Sequence, residues 1–217
     1  MIHKFFFLFR SLIPGISVLQ YVTFRSVMAA ATSLSLSIIF GPIVICTLAK
    51  LKMNQPILDV GPKSHQIKSG TPTMGGSLIV FSIIASTLFW CDLTSPSVWV
   101  VLISLIGFGM VGASDDIKKL LLKQNLGLTS WQKMIALTVI SLLVSFFILY
   151  FDLRGINTSQ LSVPFFKKFT PHIGIFLVPW IWLVMVGTSN AVNLTDGLDG
   201  LAAGLLMISL FGFLLLQ

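Results

Sequence analysis

The chain has 217 residues, 55% of them hydrophobic and 10% charged, with a mean hydropathy of +0.96. Soluble domains carry about 25% charged residues, so this composition excludes a soluble globular fold and identifies an integral membrane protein. The net charge of +7 comes from 14 lysines and arginines spread between apolar segments, which points to membrane lipid and phosphorylated ligands as partners and away from nucleic acid.

At the N-terminus Lys4 and Arg10 flank the apolar residues 5–9, a stretch too short to span and without a convincing signal-peptidase site; it reads as an interfacial segment. Six apolar runs follow, near residues 26–49, 74–91, 97–114, 134–151, 173–193 and 201–216, each close to the roughly twenty residues that a crossing helix needs. Lipid satisfies no backbone polar group, so every run is expected as a helix. The expected fold is all-α: a polytopic transmembrane helix bundle forming a single membrane domain over residues 1–217. Trp90, Trp99, Trp131 and Tyr150 stand near run ends, as an aromatic belt or as aromatics buried between helices. Cys46 and Cys91 fall in or near apolar runs and suggest neither a disulfide framework nor a zinc site.

Ahead of the second run, residues 70–76 read Gly-Thr-Pro-Thr-Met-Gly-Gly, preceded by Lys63, His65 and Lys68. Glycines there admit close backbone approach, and free N–H groups at a helix start favour an anion, although a plain turn into the span explains the composition more simply. Residues 107–112 fit G-x-G-x-x-G but end an apolar run and open no βαβ unit, so helix packing explains them better.

The third run ends at Asp115-Asp116, followed by Lys118, Lys119, Lys123 and Lys133. Adjacent carboxylates repel, and a Mg²⁺ held by one or both together with substrate phosphates would remove that repulsion; a helix end at the water interface is the alternative. Between the fifth and sixth runs, residues 190–200 read Asn-Ala-Val-Asn-Leu-Thr-Asp-Gly-Leu-Asp-Gly, with no basic residue beside them. If helical, Asp196 and Asp199 share a face with Asn193 one turn back, so amides and carboxylates converge. Ionisable groups so close to apolar runs are costly and functional by default, ahead of the alternative of turn-forming Asp-Gly pairs. His3, His65 and His172 share no metal-ligand spacing.

Loops 50–73, 115–133 and 194–200 lie on one side and carry eight lysines and arginines, against three in loops 92–96 and 152–172 and three in residues 1–25. The first set is therefore expected in the cytoplasm, and it also holds every polar, Gly- and Asp-rich cluster.

Taken in order, residues 21–25 (Tyr-Val-Thr-Phe-Arg), residues 61–65 (Gly-Pro-Lys-Ser-His), the 70–76 loop, Asp115-Asp116 and residues 190–202 strongly resemble the phospho-N-acetylmuramoyl-pentapeptide-transferases. The last two clusters recur across the wider polyprenyl-phosphate hexosamine-1-phosphate transferases. The resemblance implies transfer of phospho-MurNAc-pentapeptide from UDP-MurNAc-pentapeptide to undecaprenyl phosphate, giving lipid I and UMP for peptidoglycan synthesis, with Mg²⁺ as cofactor. It implies a multi-pass protein of the bacterial cytoplasmic (inner) membrane with its active face cytoplasmic. Asp115 and Asp116 would be catalytic and bind the metal, one of them often proposed as base. Lys68, Thr73, Lys133, Asn190, Asn193, Asp196 and Asp199 would bind substrate. Two departures stand out. Leu58 and Val60 occupy places where the family has a basic and an acidic residue, with Asp59 displaced by one. The resemblance also implies about ten spans, with a further metal-site aspartate and a histidine-rich loop beyond the sixth. The expectation is thus a chain truncated after the sixth span and inactive alone, with a missing C-terminal half or a second copy as partner. An inactive remnant, a non-enzymatic membrane protein and a transferase for another UDP-hexosamine are the competing readings.

Overall fold

The structure is a computed structural model and describes residues 14–50, 74–122, 127–151, 160–161, 170–196 and 200–215. They form six α-helices: α1 (Val22–Lys50), α2 (Gly76–Trp90), α3 (Pro96–Leu122), α4 (Ser130–Phe151), α5 (Leu177–Thr195) and α6 (Leu201–Leu215). Short 3₁₀ helices, Pro14–Gln20 and Gly174–Phe176, lead into α1 and α5. Among the described residues, β pairing is limited to an isolated bridge between Gln160 and His172.

Among the described residues each α-helix falls on one of the expected apolar runs, but the lengths differ. Four helical segments, Val22–Lys50, Pro96–Leu122, Ser130–Phe151 and Gly174–Thr195, are long and apolar enough to cross a membrane. α2 and α6 have 15 residues each. At 1.5 Å per residue such a helix covers about 22 Å, short of a hydrocarbon core of about 30 Å. α3 continues past the expected end at residue 114 to Leu122, because the charged residues that end its apolar run pair along the helix and need not end the helix itself. α4 starts at Ser130, ahead of the expected 134, because Thr129 caps it: its hydroxyl accepts the Gln132 N–H at 3.3 Å and its own N–H donates to Gln132 Oε1 at 3.2 Å. This reciprocal pair is a capping box.

Among the described residues, serines share the buried core with Leu102, Leu137 and Val144, while many large apolar side chains face outward. Ser82, Ser141 and Ser145 are fully buried, whereas Ile38, Ile39, Phe81, Leu143 and Phe213 are exposed. In lipid, apolar side chains lose nothing by facing outward, and small residues let helix backbones approach. Two of these hydroxyls are accommodated within their own helix: Ser141 donates to the Leu137 carbonyl at 2.7 Å and Ser145 to the Ser141 carbonyl at 2.6 Å, whereas the Ser82 hydroxyl has no hydrogen-bond partner among the described residues.

The chain divides into two compact units, Met1–Ala136 and Leu137–Gln217. In the first, α1 packs along α2 and α2 along α3. In the second, the Trp182 indole donates to the Thr138 hydroxyl at 3.1 Å, tying α5 to α4.

Candidate active site: the α3–α4 hairpin

Residues 97–114 supply the apolar part of α3, and the last two turns of the helix, carrying Asp115 and Asp116, project beyond it. Lys119 lies four residues after one aspartate and three after the other, so it shares their helix face. Its ammonium sits 2.6 Å from Asp115 Oδ2 and 3.7 Å from Asp116 Oδ1. The other Asp115 oxygen, Oδ1, accepts the Leu128 N–H at 2.7 Å from the segment returning to α4. Gly127 comes so close that a Cβ there would collide with the Asp115 carboxylate and push it from its present position.

These contacts separate the two neighbours. Burial pushes the Asp115 carboxyl up, but the hydrogen bonds from Lys119 and Leu128 and the charges of Lys119 and Lys133 prevail and hold it below the usual carboxylate range. For Asp116 burial prevails: it and the adjacent Asp115 charge raise the carboxyl despite the opposing Lys119 and Lys133. Burial pushes the Lys119 ammonium down, yet the hydrogen bond and charge of Asp115, reinforced by Asp116, raise it overall.

Asp116 also lines an apolar groove of about 460 Å³ between α2 and α3, together with Ser77, Val80, Phe81, Ile106 and Met110 among others. Met74, at the entrance to α2, borders the same groove and adopts a left-handed φ of 69°. Its carbonyl accepts both the N–H and the hydroxyl of Ser77, at 3.0 and 2.7 Å.

Of the four lysines that follow the aspartate pair, Lys119 is the partner of Asp115, and Lys118 donates to Gln132 Oε1 at 2.8 Å. Lys133, in the first turn of α4, lowers both carboxyls by its charge. Lys123 lies outside the described residues, as do Lys68, Thr73 and Asp199.

The structure thus brings Asp115, Asp116 and Lys133 together within the first unit. Asn190, Asn193 and Asp196 belong to the second unit, at the end of α5. Asn190 donates from Nδ2 to the Val186 carbonyl of its own helix at 2.9 Å, and Asn193 and Asp196 are exposed. The helical geometry considered for Asp196 does not hold. The chain leaves the helix there, with Asp196 as C-cap at φ −79° and ψ 58° and its N–H bonded to the Val192 carbonyl. Gly200, which closes the same motif, has φ +78° and turns the chain into α6, so its glycine character is a backbone requirement.

Sequence reasoning passed over Thr129, Gln132 and Gly127. The Thr-x-x-Gln spacing of a capping box was a readable signal; the approach of Gly127 to Asp115 depends on tertiary structure and had none.

The donor set suits Mg²⁺. This ion is commonly held by one or two carboxylates, with substrate phosphates and water completing its shell. Both Asp115 oxygens already have protein partners, so Asp116 presents the more available carboxylate. Among the described residues no group of three or more His, Cys, Asp or Glu gathers to enclose a metal, so further ligands would have to come from outside them.

The glycosyl transferase family 4 profile matches residues 98–217, more than half of the chain, and includes the hairpin. The chain belongs to glycosyl transferase family 4. Within this family, residues 68–80 match signature 1 of the phospho-N-acetylmuramoyl-pentapeptide-transferases, which takes in Lys68, Thr73 and the start of α2. Curated relatives carry that transferase name. The one from Desulfosudis oleivorans is 46% identical over 198 residues, 91% of this chain and 54% of the relative. That from Thermodesulfovibrio yellowstonii is 42% identical over 209 residues, 96% of this chain and 58% of the relative. That from Dichelobacter nodosus is 47% identical over 187 residues, 86% and 52% respectively. The chain spans about half the length of these family members.

Proposed function

We propose that the chain carries part of the active site of a phospho-N-acetylmuramoyl-pentapeptide-transferase, acting in peptidoglycan synthesis at the cytoplasmic face of the bacterial inner membrane. The donor would be UDP-MurNAc-pentapeptide, the acceptor undecaprenyl phosphate, and the products lipid I and UMP. The observation that carries this reading is the Asp115–Asp116 pair just beyond an apolar span, with Lys119 and Lys133 beside it. Two carboxylates at a membrane boundary suit a reaction between a water-soluble diphosphate and a lipid-anchored phosphate.

In that reaction an acceptor phosphate oxygen forms a bond to the sugar-bearing phosphorus of the donor. The bond from that phosphorus to the bridging oxygen breaks, and UMP leaves with the electron pair. Such transfer depends on alignment and charge neutralisation more than on covalent chemistry by the protein. Mg²⁺, when bound, supplies charge neutralisation at the phosphate oxygens. Asp116 would hold it, Asp115 would keep Lys119 in place, and Lys133 would meet substrate phosphate from α4. Lys68, Thr73, Asn190, Asn193, Asp196 and Asp199 are proposed as further donor-binding groups on the strength of the resemblance and the signature match.

The test is UMP release in membranes supplied with UDP-MurNAc-pentapeptide, undecaprenyl phosphate and Mg²⁺. The chain would be assayed by itself and co-expressed with the C-terminal half of the Desulfosudis relative. Mg²⁺-dependent release that Asp116→Asn removes is expected in at least one setting. Its absence from both would overturn the reading.

A further inference from the structure

The contacts of the α3–α4 hairpin close into a ring. Asp115 accepts from Leu128; the next residue, Thr129, exchanges hydrogen bonds with Gln132; and Gln132 accepts from Lys118, back on α3 and one turn from Asp115. Gln132 Oε1 therefore does two things. It caps α4 through the Thr129 N–H at 3.2 Å, and it anchors the last turns of α3 through Lys118 at 2.8 Å. A capping box needs only the first bond, so the second calls for a separate explanation.

We propose that Gln132 is a positioning residue that sets the divalent-cation affinity of the Asp115–Asp116 pair, an inference that rests on the reading of this pair as the cation site. The ring holds the Leu128 N–H against Asp115 Oδ1, and with that oxygen fixed the other engages Lys119. Lys119 is 2.6 Å from Asp115 and 3.7 Å from Asp116, so it is held mainly on the first carboxylate. Opening the ring frees Asp115 to turn and Lys119 to move onto Asp116. An ammonium there competes directly with a cation for the same oxygens. Side chains that orient metal-binding groups in this way change metal affinity by about 10- to 100-fold when removed.

The probe is Mn²⁺ binding to the purified full chain in detergent, read by electron paramagnetic resonance, so that no turnover is required. Wild type is expected to bind Mn²⁺ at a site that Asp116→Asn abolishes. Gln132→Ala should weaken that binding by about tenfold, the low end of the range for orienting groups. Gln132→Glu keeps both acceptor positions and adds a negative charge, so it should restore binding to at least the wild-type affinity. Lys118→Met leaves the capping box intact and removes a positive charge, which by charge alone would strengthen cation binding; the ring predicts weakening instead. Unchanged Mn²⁺ affinity in Gln132→Ala, or tighter binding in Lys118→Met, would overturn the inference and leave the cation site standing. Absence of Asp116-dependent Mn²⁺ binding in wild type would remove the cation site itself, and this inference with it.

Discussion

Trp90 and Thr32, fifty-eight residues apart, join α2 to α1 through one hydroxyl: it accepts the indole N–H at 2.9 Å and donates to the Met28 carbonyl at 2.7 Å. Thr32 is thereby oriented by its own helix to receive a neighbour's donor. Thr32→Val keeps the shape and strands the indole N–H. Interhelical hydrogen bonds in membranes contribute about 0.6 kcal/mol on average and up to about 1.7. Thr32→Val should therefore lower unfolding stability in detergent by about that much, and Trp90→Phe in the Thr32→Val background should add little through the shared bond. A double-mutant cycle with no coupling would show that the contact contributes nothing.

The two aspartates should respond oppositely to neutralisation. Folding lowers the Asp115 pKa, so its charged form is favoured in the folded chain; that stabilisation is present above the unfolded value and is lost as pH falls through the folded one. Folding raises the Asp116 pKa, so at neutral pH its charge opposes folding; this cost begins to shrink as pH falls through the raised value and is gone below the unfolded one. At pH 7, Asp115→Asn should lower the melting temperature and Asp116→Asn should leave it unchanged or raise it. Shifts of about 1–3 °C are what a fraction of a kcal/mol gives a chain of this size. Equal losses in both variants would contradict the assignment. A residue whose removal stabilises the fold while abolishing cation binding is what a functional charge held against its own preference looks like.

The hydrophobic pattern revealed the helices because apolar length is set by the bilayer, and it revealed Asp115-Asp116 because carboxylates beside a span are conspicuous. It misplaced the ends of α3 and α4 for the same reason. Hydropathy marks where lipid stops, whereas the Asp115–Lys119 pair lets α3 continue past that point and the Thr129–Gln132 box sets where α4 begins. The different environments of Asp115 and Asp116 were not legible, since they depend on Leu128 and Gly127 returning to one carboxylate and not the other. Asp196 carried a conditional helical reading that failed because its backbone leaves the helix at that residue.

Ser145 tests the packing logic of the second unit. It is fully buried, and its hydroxyl donates to the Ser141 carbonyl at 2.6 Å with the Val178 carbonyl of α5 at 3.4 Å. The good bond is within its own helix, so Ser145→Ala should cost less than about 1 kcal/mol. Ser145→Leu inserts volume where α4 and α5 meet, and overpacking of this kind costs about 1–3 kcal/mol. Thermal unfolding in detergent should rank wild type and alanine together and leucine well below. A tolerated leucine would mean that Ser145 faces space that lipid can fill.

Topology offers the last test, and it concerns the side on which the hairpin lies. The charged turns of α3 carry Lys118 and Lys119, and Lys133 follows in the first turn of α4. Lysines concentrated beside span ends are retained in the cytoplasm. Leu121, 77% exposed on the charged extension, and Gln160, exposed in the Gln160–His172 bridge, lie at opposite ends of α4 in sequence, separated by that one crossing. With Cys46 and Cys91 replaced, Leu121→Cys and Gln160→Cys become reporters for an impermeant thiol reagent applied to cells whose outer membrane has been opened. Gln160→Cys should label at once and Leu121→Cys only after the inner membrane is breached. The reverse order would place Asp115 and Asp116 outside the cell, where no nucleotide-linked donor is supplied, and would defeat the proposed reaction irrespective of the local geometry.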